Sequence, residues 1–246
     1  MRCFRTVSCR ESHLRIASDG FEVAAEALRR ERRELEAYLI RHPDFQRSLV
    51  PVGLLPEAPE IARRMQRAAA RVGVGPMAAV AGTIAQMVAE AALAAGAREA
   101  IVENGGDVYL AAAAPVTVAL YAGLAGLGGE LAFRVTPAWM PLAVCSSSSR
   151  MGHSLSLGDC DLATVVSPDA SLADAAATHA GNLVRSVDDL QAACEAIAGI
   201  DGIAGVLLVK DDRVALAGRL PELVRNHDTQ TRRKITRAPD GAPLPD

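Results

Sequence analysis

A long apolar segment, residues Met77–Ala95, constrains the fold of this chain more than any other feature. Its length and composition predict a helix that is apolar on nearly every face rather than along one stripe. Such a helix needs protein on all sides, so we expect it at the centre of the fold. Gly82 and Gln86 interrupt the apolar run, which therefore falls short of a convincing membrane span.

Short segments with strand patterns surround this helix, and they form hairpins rather than a regular series of strand–helix–strand units. The predicted hairpins are Phe4–Ser8 with His13–Ala17, Glu99–Glu103 with Val108–Ala112, and Ile203–Val209 with Val214–Gly218. Single strands are predicted at Val116–Ala122, Glu130–Pro137, Leu142–Ser146 and Leu162–Ser167. Further helices are predicted at Phe21–Arg41, Glu60–Val72 and Val187–Ala198, and after Pro168.

This mixture of elements predicts an α+β fold with a central mixed or antiparallel sheet flanked by helices. We expect a single domain over residues 1–225, with an N-terminal helical elaboration at 21–72. Residues 226–246 are polar and contain proline and glycine, which predicts a loose tail.

Composition narrows the range of partners. The net charge is −3 without a strong basic field, which argues against nucleic acid as a partner. The five cysteines are odd in number and form no C-x-x-C, so neither a disulfide framework nor structural zinc is expected. No apolar signal region follows Met1. We therefore expect a cytoplasmic protein with no membrane partner, and a homodimer is compatible with the sequence.

Three polar residues recur at helical spacing in the segment after Pro168. Asp174, Thr178 and Asn182 lie four residues apart, so they share one face of an alanine-rich helix. A carboxylate and a hydroxyl together suit a hard cation such as Mg²⁺ or the phosphates of a nucleotide. Alternatively, Ser171 is the N-cap and Asp174 its capping-box partner. Both roles coexist if Asp169 is the cap instead.

Asn104-Gly105-Gly106-Asp107 lies between two predicted strands. Two glycines allow positive φ and let a ligand approach the backbone closely. A tight type I′ hairpin would require the same residues, so the sequence leaves both interpretations open.

A serine-rich segment follows the strand that ends near Cys145. Residues Ser146–Ser149 offer hydroxyl and backbone N–H groups that suit a phosphate, and Arg150 and His153 lie in the same loop. A Ser149–His153–Asp174 triad is conceivable but has no G-x-S-x-G elbow. Cys145 beside His153 could be a nucleophile, although an inert buried thiol is the more common case.

Taken in order, these segments resemble the ApbE superfamily, whose best-known members are FAD:protein FMN transferases. The chain has Gly82-Thr-Ile-Ala-Gln86, Asn104-Gly-Gly-Asp107, a Ser-rich loop with His153, and Asp174-Ala-Ala-Ala-Thr178, where the family has G-x-I-A-K-G, N-x-G-G-D, T-S-G…H-I-I-D-P and D-A-L-A-T. It is more closely similar to a short branch with V-G-P-M-A-A-V-A-G, E-N-G-G-D, G-H-S and A-D-A-A-A-T-x-x-G-N. The resemblance covers roughly residues 70–220 and implies a T-fold-related domain.

The resemblance implies roles for the matched residues only. Asp174 and Thr178 would hold Mg²⁺ together with backbone near Gly82, and Asp174 and His153 would act in catalysis. The small-molecule ligand, a flavin nucleotide such as FAD or FMN, would lie against the residues Asn104, Gly105, Gly106, Asp107, Ser147, Ser148 and Ser149.

Two departures from the family pattern affect the expected activity. Gln86 replaces the family lysine, and the sequence after His153 lacks the family's Asp-Pro-Arg. Arg150 or an arginine of the Glu60–Val72 helix could supply the missing charge. Trp139, Tyr109 and Tyr121 are the main candidates for stacking on an isoalloxazine ring. The sequence therefore supports either a Mg²⁺-dependent flavinyl transferase or pyrophosphatase, or a binding protein that has lost the chemistry.

Overall fold

A computed structural model describes residues 2–120, 131–148 and 158–226. Eleven strands are found in these ranges: β1 (Arg5–Cys9), β2 (Ser12–Ser18), β3 (Ala100–Asn104), β4 (Asp107–Ala111), β5 (Val116–Leu120), β6 (Leu131–Val135), β7 (Leu142–Ser147), β8 (Leu162–Ser167), β9 (Gly205–Lys210), β10 (Arg213–Gly218) and β11 (Glu222–Arg225). Eight of them form one sheet in the order β1-β2-β3-β4-β7-β8-β9-β10, and the other three form a second sheet in the order β11-β6-β5. Every described pairing is antiparallel.

Six helices complete the described part of the chain: α1 (Phe21–Arg41), α2 (Pro43–Arg47), α3 (Glu60–Val72), α4 (Val80–Ala94), α5 (Ala170–Leu183) and α6 (Leu190–Ala198). Side chains alternate between the two faces of the large sheet. One face packs against the helices through residues such as Val102, Ala143 and Val165. The other face packs against the small sheet, with Leu110 and Val144 of the large sheet in one apolar cluster with Phe133 of the small sheet. The fold thus has three layers: the helices, the large sheet and the small sheet.

Helix α4 lies in the middle of the helical layer, in contact with α1, α5 and β3. Four consecutive residues, Gly82–Ala85, are buried, as expected for a helix covered on most sides. The stretch Pro76–Ala94, a 3-10 turn followed by α4, is 19 residues long and contains a window with a mean hydropathy of 1.5, so by length and composition alone it could cross a membrane. A central core helix meets the same criterion, which makes this weak evidence for a membrane span.

The α+β class with an antiparallel sheet is confirmed, while three details differ from the sequence predictions. The small sheet was not anticipated as a separate layer, and its strand β11 is too short and exposed to show a strand pattern. Helix α2 lies in a stretch for which the sequence predicted no helix or strand, and Pro43 occupies its first helical turn. The predicted central helix begins as a 3-10 turn over Pro76–Ala79. The predicted tail, residues 227–246, lies outside the described residues.

Candidate functional site

Polar residues gather on the face of the large sheet that carries the helices. Asn104 ends β3 and pairs across the hairpin with Asp107 at the start of β4. Both side chains are buried, at 6% and 5% exposure. The Asn104 amide Nδ2 donates to the carbonyl of Ala81 at 3.0 Å, which ties the hairpin to the N-terminus of α4. A polar site therefore forms where the β3–β4 turn meets α4.

The turn itself combines the two interpretations that the sequence left open. Gly105 and Gly106 have φ values of +66° and +111°, a conformation that disfavours any side chain. A Cβ atom at Gly105 would have no atom within 4 Å, and one at Gly106 would lie 3.8 Å from the Ser146 carbonyl oxygen. The glycines thus close a tight hairpin and also leave open space above its backbone.

Asp174 does not cap its own helix. Asp169 is the N-cap of α5, and its side chain accepts hydrogen bonds from the N–H groups of Ser171 and Leu172. The Asp174 Oδ2 atom instead accepts from the N–H of Gly82 at 2.8 Å, in the first turn of α4. Asp174 thus bridges two helices, and the partial positive charge at the N-terminus of α4 favours its ionised form.

Asp107 and Asp174 are close enough to repel each other when both are ionised. Burial raises the pKa of Asp107 well above its ordinary range, and the charge of Asp174 raises it further, against the opposing effect of the Ser146 N–H. Burial likewise raises the pKa of Asp174 to about 7, although the Gly82 and Ala81 N–H groups oppose this shift. A pair of enclosed carboxyls retains a proton at neutral pH unless a cation compensates the second charge.

The rest of the predicted metal set lies along α5. Thr178 is partly buried one helical turn after Asp174. The predicted backbone contribution near Gly82 belongs to α4, where the Gly82 N–H already donates to Asp174. Within the described residues, no group of three or more His, Cys, Asp or Glu side chains is placed to hold a metal ion. Any cation here would therefore use hydroxyl, carbonyl, water or ligand oxygens beside the carboxylates, which is the preference of Mg²⁺.

The Ser-rich loop is described only at its ends. Ser147 lies on the helical face of β7, and its Oγ would be 3.8 Å from a Cβ at Gly181 of α5. Gly158 packs against the C-terminal end of α5, where a Cβ would lie 2.1 Å from the Gly181 carbonyl oxygen. Both ends thus reach the second half of α5, beyond Thr178. Ser149, Arg150 and His153 lie outside the described residues, so their predicted roles, and the proposed triad, remain untested.

Gln86 has a structural role that the sequence did not suggest. Its Oε1 accepts from the N–H of Ala170 at 2.7 Å, and its Nε2 donates to Glu90 at 2.8 Å. Gln86 and Asp169 together therefore satisfy the first N–H groups of α5, which leaves this helix start no free donor for a phosphate. Gln86 follows Gly82 by one helical turn, so the two residues share one face of α4. This spacing is the only feature of the sequence that could have indicated a contact of Gln86 with α5.

Arginines of α3 reach the same region without replacing the missing lysine. A polar cleft of about 230 Å³ is lined by Glu60, Arg64, Arg67, Gln86, Glu90 and Asp169. Arg64 donates to Glu90 at 2.8 Å and to Glu60 at 3.1 Å, so its charge is already compensated. Arg67 is exposed on the same cleft. Neither arginine is shown in contact with Asp107 or Asp174.

Neither described candidate for aromatic stacking has a freely exposed ring. Tyr109 is buried at 5% exposure beneath the helices, and burial raises its pKa to about 12. Trp139 packs against the apolar layer between the two sheets, with Arg219 over its ring at 5.3 Å. Sequence spacing could not reveal that one ring is covered and the other lies behind the sheet. Tyr121 lies outside the described residues.

Cys145 lies near both carboxyls, but its chemistry is that of an inert thiol. Its Sγ is fully buried and donates to the Ala170 carbonyl at 3.6 Å. Burial raises the thiol pKa well above its usual range, and the neighbouring Asp107 and Asp174 charges raise it further. Only the thiolate is a good nucleophile, so the structure supports the inert alternative.

We expect thiol reagents to distinguish the five free cysteines by burial. Cys3 is exposed and Cys9 partly so, whereas Cys145, Cys160 and Cys194 are buried. At pH 8, Cys3 should react first and the three buried thiols only after unfolding, as measured by reagent absorbance and peptide mass mapping. Fast labelling of Cys145 in the folded protein would contradict this account.

Solved structures similar to this one include flavin transferases. The flavin transferase ApbE from Vibrio cholerae matches with a TM-score of 0.55 at 12% identity, covering 88% of this chain and 96% of that one. The Pseudomonas stutzeri flavinyl transferase ApbE, in its apo form, matches with a TM-score of 0.52 at 15% identity, covering 88% and 94%. At such low identity these matches establish an ApbE-like fold.

Sequence relatives are much closer. A UPF0280 protein of Methanocella arvoryzae is 43% identical over 229 residues, covering 92% of this chain and 93% of that one. Another, from Archaeoglobus fulgidus, is 43% identical over 207 residues, covering 82% and 85%. The family profile described as "AbpE bacteria" matches residues 4–199, and the chain belongs to this family.

Proposed function

We propose that this protein binds a phosphate-bearing nucleotide of the flavin class together with Mg²⁺, in the space between the β3–β4 turn and helix α5. The observation that carries the proposal is the pair of neighbouring carboxyls, Asp107 and Asp174. Burial raises the pKa of Asp107, and the charge of Asp174 raises it further. A divalent cation is the compensating charge that such a pair favours. The similar solved structures are flavin transferases, and they suggest the ligand class.

The residues present fit a hard cation. Asp174 would contribute a carboxylate oxygen and Thr178 its hydroxyl, with Asp107 as the second negative charge and water or ligand oxygens in the remaining positions. Mg²⁺ usually keeps several waters and takes its remaining ligands from substrate phosphates. When bound, it would neutralise charge that develops on a pyrophosphate as the phosphoryl group leaves.

The surroundings of the carboxyl pair suit phosphates. Gly105 and Gly106 leave their backbone open, and Ser147 points its hydroxyl toward α5 at the same end of the sheet. With no described cation facing the carboxyls, a phosphate would reach this site in company with a metal. By the resemblance, Ser148, Ser149 and His153 would border the phosphates from the Ser-rich loop.

Two activities remain as candidates. In the first, a flavinyl transferase or pyrophosphatase breaks the P–O–P bridge of FAD, and the FMN phosphoryl group passes to a protein hydroxyl or to water, while AMP leaves. In the second, the protein binds the nucleotide without cleaving it. Gln86 favours the second, because its amide holds the start of α5 and supplies no positive charge where the family has lysine. The retained Asp174 and Thr178 favour the first.

Product analysis separates the two activities. The full chain is incubated with FAD and Mg²⁺ at pH 8, and products are resolved by chromatography. AMP with FMN would show a pyrophosphatase, and AMP with flavin attached to protein would show a transferase. Intact FAD that co-elutes with the protein would support the binding protein. Intact FAD with no protein-bound flavin would reject both activities for this ligand.

We also propose a cytoplasmic location. Free cysteines throughout, and an acidic rather than basic net charge, favour the cytoplasm and a small-molecule partner rather than nucleic acid or membrane. Cell fractionation of the native protein checks the location, and recovery in the membrane pellet would count against it.

A further inference from the structure

Strand β10 forms one outer edge of the large sheet. Within the described residues, β10 pairs with β9 and with no other strand. Lys210 and Arg213 face each other across the two-residue turn, and the N–H of Arg219 donates to the Ala204 carbonyl on the β9 side. Backbone direction alternates along a strand, so the N–H and C=O groups of Val214 and Leu216 point away from β9.

The side chains of β10 leave this edge unprotected. Val214 and Leu216 are 36% and 48% exposed, on the face opposite the buried Ala215. No proline or inward-pointing charge blocks the strand, although natural sheets commonly use such devices at their edges. The opposite edge differs, since on β1 the Arg5 side chain covers Phe21 and bonds to Glu22 at 2.8 Å.

We propose that β10 pairs antiparallel with β10 of a second copy of this chain, about a two-fold axis at Ala215. In this register Val214 of each copy faces Leu216 of the other, on one side of a continuous sheet. These positions carry the outward backbone groups, so both apolar pairs are also hydrogen-bonded pairs. Apolar cross-strand neighbours stabilise such a pairing, and the sequence Val-Ala-Leu is self-complementary in it.

Charges at the ends of the strand fit the same register. Asp212 lies across from Gly218 of the second copy and therefore next to its Arg219. The two-fold axis repeats this contact, so two opposite-charge contacts flank the apolar centre. Arg219 is held over the Trp139 ring at 5.3 Å, which limits its freedom before pairing. The dimer would join two eight-stranded sheets into one of sixteen strands.

Sedimentation velocity over a concentration series tests the pairing with the full chain. Wild type should be dimeric, and Leu216→Lys should weaken dimerisation at least about tenfold, since one substitution alters both Val214–Leu216 pairs. Ile40→Lys is the matched control, because Ile40 is 81% exposed on α1, away from β10. Far-UV circular dichroism checks that each variant is folded. A monomeric wild type at the highest concentration, or equal dimerisation of Leu216→Lys and Ile40→Lys, would overturn the proposal.

Charge reversal tests the register independently of folding. Asp212→Arg and Arg219→Asp should each weaken the dimer, and the double variant should recover much of the wild-type affinity. A different dimer interface would respond to neither change, and a double variant no better than the single ones would reject the two-fold axis at Ala215.

Discussion

Replacing Asp174 with asparagine is expected to abolish Mg²⁺-dependent nucleotide binding while the fold persists. Asparagine keeps an oxygen that can accept the Gly82 N–H but loses the charge that a cation requires. Changing groups that merely orient metal ligands costs about 10–100-fold in metal affinity, so loss of a carboxylate ligand should cost at least about 100-fold. Titration of Mg²⁺ into protein with ADP or FAD measures the effect.

Asp169→Asn is the matched control on the same helix. Asparagine caps a helix about as well as aspartate, and Asp169 contacts the α5 backbone rather than the carboxyl pair. This variant should keep its response to Mg²⁺. Equal Mg²⁺ affinity in wild type and Asp174→Asn would remove Asp174 from the metal site and leave it only the role of joining α4 to α5.

The same variant should alter the pH dependence of stability. Asp174 has a folded-state pKa of about 7, above its ordinary value of 3.8, so folding favours the protonated form. Without metal, the free energy of unfolding should therefore fall as pH rises from about 4 to about 7. Asp174→Asn should flatten this decline and raise the melting temperature at pH 8. A wild-type stability that rises over this window would contradict the proposed carboxyl pair.

Gly82→Ala is expected to destabilise the fold severely, although alanine normally favours a helix by about 1 kcal/mol over glycine. A Cβ at this position would lie 2.4 Å from the Ala170 carbonyl oxygen and 2.8 Å from the Asp174 Cβ. Helices α4 and α5 would have to separate, which would disturb the Thr83–Ser171 hydroxyl contact of 2.8 Å beneath them. We expect the free energy of unfolding to fall by about 3 kcal/mol or more, because overpacking of a buried contact is among the most destabilising changes.

Chemical denaturation followed by circular dichroism measures this loss. Gly199→Ala provides the control, because Gly199 has helical backbone angles and a Cβ there would make only ordinary contacts at 3.5 Å. It should change stability by about 0.5 kcal/mol or less, as surface substitutions usually do. A Gly82→Ala variant as stable as the control would show that α4 and α5 do not approach as closely as described.

Local patterns predicted the elements well where one residue type decides the structure. The limits of α1 and α3 follow from Pro43 and Gly73, and the β3–β4 hairpin follows from Gly105 and Gly106. The small sheet could not be predicted from such local patterns. Strand β11 comes from a distant part of the chain, and the alternation in β5 and β6 does not indicate which sheet they join.

The sequence indicated individual residues of the candidate site but not the contacts between them. Helical spacing placed Asp174 and Thr178 on one face, yet the contact of Asp174 with Gly82 spans 92 residues. The proximity of Asp107 to Asp174 likewise depends on how α5 crosses the sheet. The functions of Gln86 and Cys145 depend on such distant contacts too, and for that reason the sequence could not assign them.

Native mass spectrometry of the full chain tests the central claim most directly. The protein would be mixed with FAD, FMN, ADP and riboflavin, each with and without Mg²⁺, beside Asp174→Asn. We predict that phosphate-bearing ligands add one mass equivalent per chain to wild type only when Mg²⁺ is present, and that riboflavin adds none. Binding of the phosphate-bearing ligands without Mg²⁺, or equal binding by Asp174→Asn, would contradict a metal-assisted nucleotide site at the Asp107–Asp174 pair.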